Sequence, residues 1–391
     1  MKNTLEHISF RFNWDLDEKT SNLLGQCFAY IYSMLNTPLM PERHQELLLL
    51  SLNRGALATT AIEGNTLTEE ELSQIQNGKD IAPSRKYQQQ EVENILNAFN
   101  TILNKLVREK SPAVISPELI RFFHNMVGEN IGTAFGGNPG HFRRQNVIVG
   151  NVYRPPSFEK VEGLVKKLCD WLLDEFHYTR EQNFNEAVIE AIVIHVYIAW
   201  IHPFMDGNGR TARLLEFFIL LRAGVPDIAS HILSNHYNDT RAQYYQQLQN
   251  ATNTGDLIPF IQYALEGFRD GLENIIRLMQ KEQTELTWKN YIHDITEKMQ
   301  AGKISVKIAR RIRLLAYYIP ADRFCTTDEI LILNIKIANE YLRLNPITLR
   351  RDLELLVSEK LLKTEKNKYR SNHELLHGLL PKISVPILRR Y

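Results

Sequence analysis

Apolar residues recur at helical spacing through most of the chain. Val92, Ile95, Leu96, Phe99, Ile102 and Leu103 form a stripe at i, i+3, i+4, i+7, the period of a helix with one buried face. Leu47, Leu50, Leu57 and Ala61 approximate a second stripe, interrupted at Arg54. Residues 15–130 therefore read as a run of helices. Gly136-Gly137-Asn138-Pro139-Gly140 breaks the run. Between Val147 and Tyr153, β-branched residues flank Gly150-Asn151, which predicts a hairpin, closed by Pro155-Pro156. Helices resume over about 158–176, and again from an Asn185 N-cap through Trp200. Another starts near Asn208 and stops at Gly224, a C′ glycine with Pro226 close behind, and the helical pattern continues to about residue 300.

The last 75 residues or so change character. Thr326 to Asn334 and Ile337 to Leu342 predict two short helices, Leu344-Asn345-Pro346 a turn, and Thr348 to Glu359 a third helix. Leu361 to Tyr369 then reads as a short basic hairpin. Helix, helix, turn, helix, hairpin is the order of a winged helix-turn-helix. The pattern thus predicts a mainly α chain in three parts: 1–114, a helical region; 115–300, a helical core with a small β-hairpin; and 301–391, winged-helix-like.

Composition adds two constraints. With 391 residues, 44% of them hydrophobic and 23% charged, the chain suits two or three globular domains. Cys27, Cys169 and Cys325 are odd in number and far apart, which predicts no disulfide framework and a reducing compartment. The first residues lack the apolar run of a signal peptide. No apolar segment is expected to reach the roughly 18 residues of a membrane helix, so a cytoplasmic setting without membrane association is expected. The net charge of +1 conceals an asymmetry. Residues 301–391 hold 18 Lys+Arg against 9 Asp+Glu, leaving 28 against 36 in the first 300. Opposite signs suggest separate tasks.

The chemistry concentrates in His202-Pro203-Phe204-Met205-Asp206-Gly207-Asn208-Gly209-Arg210-Thr211-Ala212-Arg213, a loop that feeds a helix N-terminus between two apolar helices. Gly207 and Gly209 permit positive φ and close backbone approach. Free N–H groups and the helix dipole attract an anion. Arg210 and Arg213, three apart, are neighbours on the helix and suit two phosphates of one chain. Asp206 offers a hard oxygen for Mg²⁺, and His202 a general base for a hydroxyl. Phe204 reads as a core anchor of the loop. His195, seven residues before His202, reads as a buried, hydrogen-bonded residue. No Gly-x-x-x-x-Gly-Lys-[Ser/Thr] or His-Glu-x-x-His run occurs, so neither a P-loop nor that zinc motif is present.

His202 to Arg213 resembles the Fic (filamentation induced by cAMP) motif HPFx[D/E]GNGRxxR at every specified position. Roughly residues 115–270 look like a Fic core in the spacing of their helices. Most members of that family transfer AMP from ATP to a Tyr, Thr or Ser hydroxyl of a protein. The resemblance implies that His202 is the base, that Asp206 is the Mg²⁺ ligand, and that Asn208, with the backbone of Gly207 and Gly209, cradles the α- and β-phosphates. It implies a β-phosphate contact for Arg210 and a γ-phosphate contact for Arg213. Val147, Ile148, Val149 and Gly150 are placed like the family's flap, which aligns a target segment by strand addition. Asn235, Tyr244 and Tyr245 sit where the family often contacts adenosine.

Thr59-Thr60-Ala61-Ile62-Glu63-Gly64 resembles the family's inhibitory pattern [S/T]xxxE[G/N], with the inhibitory segment spanning 59–65. The resemblance implies that Glu63 pairs with Arg213 and removes the γ-phosphate clamp. The expected function is an autoinhibited, Mg²⁺-dependent protein adenylyltransferase acting on another protein or on itself. Alternatives are transfer of UMP or phosphocholine, removal of AMP, or a nucleotide-sensing transcriptional regulator. For the C-terminal part, Arg350 and Arg351 on the third helix could meet DNA. Residues 321–370 hold 10 basic and 8 acidic side chains, however, and so modest a charge favours a dimerisation or target-docking module over DNA.

Overall fold

The computed structural model describes residues 7–10, 16–104, 114–150, 153–177, 183–302 and 304–377. These divide into two compact units, Met1–Arg277 and Leu278–Tyr391. The division falls inside the stretch that the sequence pattern assigned to the core and its following helices.

In the first unit, α1 (Glu18–Leu35), α2 (Pro41–Ala61), α3 (Glu69–Gln76), α4 (Lys86–Thr101) and α5 (Pro117–Gly128) realise the expected helical run. Val92, Ile95 and Phe99 of α4 are buried as their stripe predicts. On α2 the stripe is looser: Leu47 and Leu57 are buried, but Leu50 is 40% exposed. After α6 (Phe158–Glu175), the unit is centred on α7 (Asn183–Ile201) and α8 (Asn208–Arg222), which pack on each other. Thirteen residues of α8 are buried, among them the polar or charged Asn208, Arg210, Thr211, Arg213 and Glu216. Further helices are α9 (Ile232–Asp239), α10 (Arg241–Thr254) and α11 (Ile258–Gly302).

Two expectations are corrected here. α7 starts at Asn183, two residues ahead of the expected Asn185 cap. Its stretch Phe184–Ile201 is also long and apolar enough, by length and composition alone, to cross a membrane. One imidazole, that of His195, does not offset so many aliphatic residues. In the fold, 78% of the stretch is buried against protein.

The second unit contains the later part of α11, then α12 (Val306–Tyr318), α13 (Thr327–Ile332), α14 (Ile335–Tyr341), α15 (Pro346–Ser358) and the antiparallel pair β1 (Leu362–Glu365) and β2 (Lys368–Ser371), followed by α16 (Glu374–His377). Thr326 and Glu329 make a capping box on α13, and Asn345 with Pro346 starts α15, as helix-start chemistry requires. Ile312, Leu315, Ile337, Leu353 and Leu356 form its core. Asp352 is buried but bonded to Arg311 Nε at 2.6 Å and to Tyr341 Oη at 2.7 Å, so a paired charge ties α12, α14 and α15 together.

Candidate active site

The site is built where α7 ends and α8 begins. His202 N–H still donates to Ile198 O, 2.9 Å, as the last bond of the α7 helix. His202 then takes φ +49, a left-handed conformation that costs an L-residue roughly 1–2 kcal/mol. Arg143 offsets that cost. It is 3% exposed, and its Nε donates to His202 O at 2.8 Å while its Nη1 donates to Gln145 O at 3.0 Å. Its Nη2 donates to Pro156 O, and its backbone N–H to Pro203 O at 2.9 Å.

Phe204 is fully buried and stacked on His124 of α5, with ring centroids 3.6 Å apart. His124 Nδ1 accepts from Gly140 N–H at 2.9 Å, which leaves Nε2–H to donate to Asp206 O, also 2.9 Å. Burial pushes the His124 imidazole down to about 4, against the pull of that bond, so the ring is neutral and its tautomer is set. Asn208 uses both ends of its amide on the Phe204 backbone, Oδ1 from N–H and Nδ2 to the carbonyl, each at 2.9 Å. Its side chain therefore closes the loop. Gly207 takes φ +74 beneath Phe135, and Gly209 has no room for a Cβ, which would stand 2.2 Å from Glu63 Oε1.

The first two turns of α8 bury both arginines. Arg210 is 3% and Arg213 1% exposed. Asp206 Oδ1 accepts from Arg210 Nη2 at 2.9 Å, and Oδ2 from Gly136 N–H at 3.1 Å. Three buried guanidinium donors, Arg210 Nε and Arg213 Nε and Nη1, have no hydrogen-bond partner. Buried cationic donors without acceptors are costly, so this pair fits an anion. Asp206 is about one-third exposed, and Oδ2 carries a single hydrogen bond, which leaves it an acceptor position for a hard cation. No cluster of three metal-ligating side chains occurs among the described residues, so phosphate oxygens and water would complete the shell.

Burial drives the His202 imidazole down to about 4, opposed by a hydrogen bond to the Ala199 backbone. At neutral pH the ring is uncharged and able to accept a proton.

Glu63 lies where the sequence pattern placed it. α2 ends in a Schellman motif: Asn65 N–H donates to Thr60 O at 3.2 Å and Gly64 N–H to Ala61 O at 2.9 Å, with Gly64 at φ +100. That geometry needs glycine at C′ and leaves Glu63 as the cap residue. Arg241 donates to Ala61 O and Tyr245 Oη to Ile62 O at 3.3 Å, so α10 covers the last carbonyls of α2. Glu63 Oε1 then accepts from Arg213 Nη2 at 2.7 Å, and the same nitrogen donates to Thr59 O at 2.9 Å. Burial disfavours the Glu63 carboxylate, but the charges of Arg213 and Arg210 outweigh it and hold the group below the ordinary carboxylate range.

The outlying residues fare differently. The expected hairpin contracts to one antiparallel bridge, Val149 with Tyr153; Asn151 and Val152 lie outside the described residues. Ile148 is 59% exposed, and Val147, Val149 and Gly150 lie beside it at the surface. Tyr153 Oη donates to Trp200 O at 2.6 Å, fixing the flap to the end of α7. Tyr244 is buried and bonded through Oη to His195 Nε2 at 2.9 Å. His195 Nδ1 stands 3.1 Å from Glu216 Oε2, and Tyr237 Oη donates to Glu216 Oε1 at 2.9 Å. His195 is thus the hydrogen-bonded core residue expected, and Tyr244 joins it there in place of an open adenosine surface. Tyr245 is 48% exposed. Asn235 lines a separate polar cavity of about 640 Å³ with Ala58, His231 and His236. Arg143, His124 and Glu91 were not anticipated. Each acts through a partner far away in sequence, and no local spacing marks such pairs.

Residues 114–220 match the Fic/DOC family. Over 222 residues the chain is 32% identical to protein adenylyltransferase fic-1 of Caenorhabditis elegans, covering 57% of this chain and 41% of that protein. It is 31% identical over 206 residues to protein adenylyltransferase Fic of Nematostella vectensis, covering 52% and 44%. The chain thus spans well under half the length of the curated relatives it matches. Among solved structures, Fic-1 from C. elegans superposes with a TM-score of 0.56 at 27% identity, covering 67% of this chain and 73% of that one. A Fic family protein from Desulfovibrio desulfuricans also gives 0.56, at 18% identity, over 92% and 98% of the two chains, a likeness of fold. The mainly α, Fic-type core expected from the sequence is borne out.

Proposed function

On the premise that residues 114–220 are a Fic domain, we propose that the chain is a protein adenylyltransferase that moves AMP from ATP to a Tyr, Thr or Ser hydroxyl of a target protein or of itself. The observation that carries the reading is the set of unpaired guanidinium donors of Arg210 and Arg213 at the N-terminus of α8, with the neutral His202 imidazole at the other end of the same loop. The hydroxyl oxygen attacks the α-phosphorus, the bond from that phosphorus to the bridging oxygen breaks, and pyrophosphate leaves. The hydroxyl proton passes to the His202 imidazole. Arg210, Arg213 and the α8 backbone N–H groups hold the negative charge that grows on the leaving side. Asp206 is the residue to hold a divalent ion, expected to be Mg²⁺, whose charge would lower the barrier to pyrophosphate departure. Val147 to Gly150 would present the target segment. Glu63 keeps the enzyme inactive by occupying Arg213.

For the C-terminal unit we keep the winged helix-turn-helix reading and assign it to docking or dimerisation. Arg350 is paired with Glu354 at 3.3 Å, while Ile335, Leu342 and Ile347 are each more than half exposed. An apolar face beside a partly neutralised basic one suits protein better than DNA. The three buried free cysteines accord with the reducing, cytoplasmic setting expected from the sequence.

The test of the reading is mass spectrometry of the Glu63→Gly protein after incubation with ATP and Mg²⁺. A gain of one AMP, lost when His202→Ala is added, is the expected result. No gain on the chain or on proteins of a cell lysate would overturn the reading.

A further inference from the structure

Arg210 is held by a carboxylate outside the motif. Glu91, on α4, places Oε1 2.5 Å from Arg210 Nη1. Its other oxygen, Oε2, accepts from Asn65 Nδ2 at 2.9 Å, and the same Asn65 amide donates to Gln88 O at 2.8 Å. Asn65 is buried and its own N–H closes the Schellman turn that carries Glu63. The Arg210 guanidinium also lies over the Phe135 ring, 5.5 Å from its centroid. We propose that Glu91 is a positioning residue for Arg210, holding the guanidinium so that its Nε–Nη2 edge faces the anion site; this rests on the nucleotide reading of that site.

Which nitrogen each carboxylate takes decides between positioning and inhibition. A guanidinium presents a phosphate with two parallel donors along one edge. Glu91 sits on Nη1 and leaves the Nε–Nη2 edge of Arg210 clear of α4, with Nε unpaired. Asp206 shares Nη2 from the side where a metal ion would bind. On Arg213, Glu63 and the Thr59 carbonyl both take Nη2, half of the equivalent edge, the half that Asp206 shares on Arg210 and that Glu91 leaves alone. Glu63 therefore competes with a phosphate, and Glu91 does not. Without Glu91 a guanidinium buried to 3% exposure keeps only the carboxylate that a metal ion would claim. A buried charge losing its partner reorganises or draws in water. Asn65 connects this anchor to the inhibitory turn, so the turn that carries the brake also orients the first arginine.

The experiment compares equilibrium binding of ADP and AMP by calorimetry, with Mg²⁺, to the parent chain and to Glu91→Gln. ADP carries the β-phosphate that Arg210 would meet, and AMP lacks it. The expected result is about a tenfold loss of ADP affinity, the scale of one charge-assisted contact, with AMP affinity nearly unchanged. Asn65→Ala, which frees the carboxylate without removing it, gives a smaller loss in the same direction. Equal losses for ADP and AMP would reduce Glu91 to a structural residue. Tighter ADP binding would make it a second brake. Either outcome overturns the positioning role while leaving the nucleotide reading intact. A parent chain that binds neither nucleotide overturns both.

Discussion

Removing the Glu63 carboxylate should raise the rate of AMP transfer by a factor that the structure bounds. Glu63 meets Arg213 at 2.7 Å, with the guanidinium 1% and the carboxylate 33% exposed. A hydrogen bond to a charged group contributes about 1.5–3 kcal/mol, and the exposed third of Glu63 lets solvent screen part of that. A figure of about 2 kcal/mol is reasonable, or roughly 30-fold in the population able to bind the triphosphate productively. The gain should appear in Glu63→Gly as a higher initial rate of labelled AMP incorporation at subsaturating ATP. Glu63→Gln keeps the shape and one neutral contact, so it should fall between parent and glycine variant. Arg213→Ala should abolish the gain, because the group that Glu63 blocks is then absent. Rates for Glu63→Gly within about twofold of the parent would refute the reasoning, since less than about 0.5 kcal/mol would then be at stake.

Three further outcomes follow from the same geometry. Arg143→Lys replaces the planar fork, whose three nitrogens each serve a different carbonyl, of His202, Gln145 and Pro156, by a single ammonium nitrogen; denaturant melts should show a loss of about 2–4 kcal/mol, and transfer by Glu63→Gly should fall with it. Gly207→Ala forces a side chain into φ +74 and 3.0 Å from Phe135, so a stability loss of about 1–2 kcal/mol is expected from backbone strain alone, together with weaker ADP binding as Phe135 shifts under Arg210. Acid should destabilise the fold: burial lowers His124, His202 and His231 to about 4 from 6.5, so the unfolded chain binds protons first as pH falls. Their contribution is complete above about pH 6.5 and is lost towards pH 4, at up to about 1.4 kcal/mol per pH unit for each fully buried ring; a melting temperature unchanged between pH 7 and pH 5 would contradict this.

The sequence displayed the centre of the site because its parts are contiguous. Loop, helix start and two arginines one turn apart are local features, and their spacing survives folding unchanged. The order of elements in the C-terminal unit was legible, but not every start: Thr326 opens α13 as expected, whereas Asn334, placed at the end of the first helix, and Asn345, placed in a turn, cap α14 and α15. The misreadings came from residues whose role is fixed by distant neighbours. The resemblance implies an adenosine contact for Tyr244, yet His195 from α7 holds its hydroxyl inside. Arg143 gave no local signal, because its three acceptors are carbonyls scattered over the loop and the flap.

The same distinction separates the rigid part of the site from the part that can move. The anion site is the first turn of a helix buried on nearly every side, and its loop is fastened by His124, Asn208 and Arg143 acting on backbone atoms. The proposed brake is the last turn of α2, fixed by a glycine in the left-handed region, two contacts from α10, the Glu63–Arg213 ion pair and the Asn65 bonds to Gln88 and Glu91. Helix ends are the least stable parts of a fold, and here the end carries the Glu63 carboxylate proposed to inhibit. Separating Glu63 from Arg213 requires only that the turn from Ile62 to Asn65 loosen, while α2 itself stays packed on α4 and α9. A ligand that relieves inhibition must therefore bind better to the loosened turn than to the closed one, and the groups it can act on are Arg241, Tyr245 and the Asn65–Glu91 contact that close it.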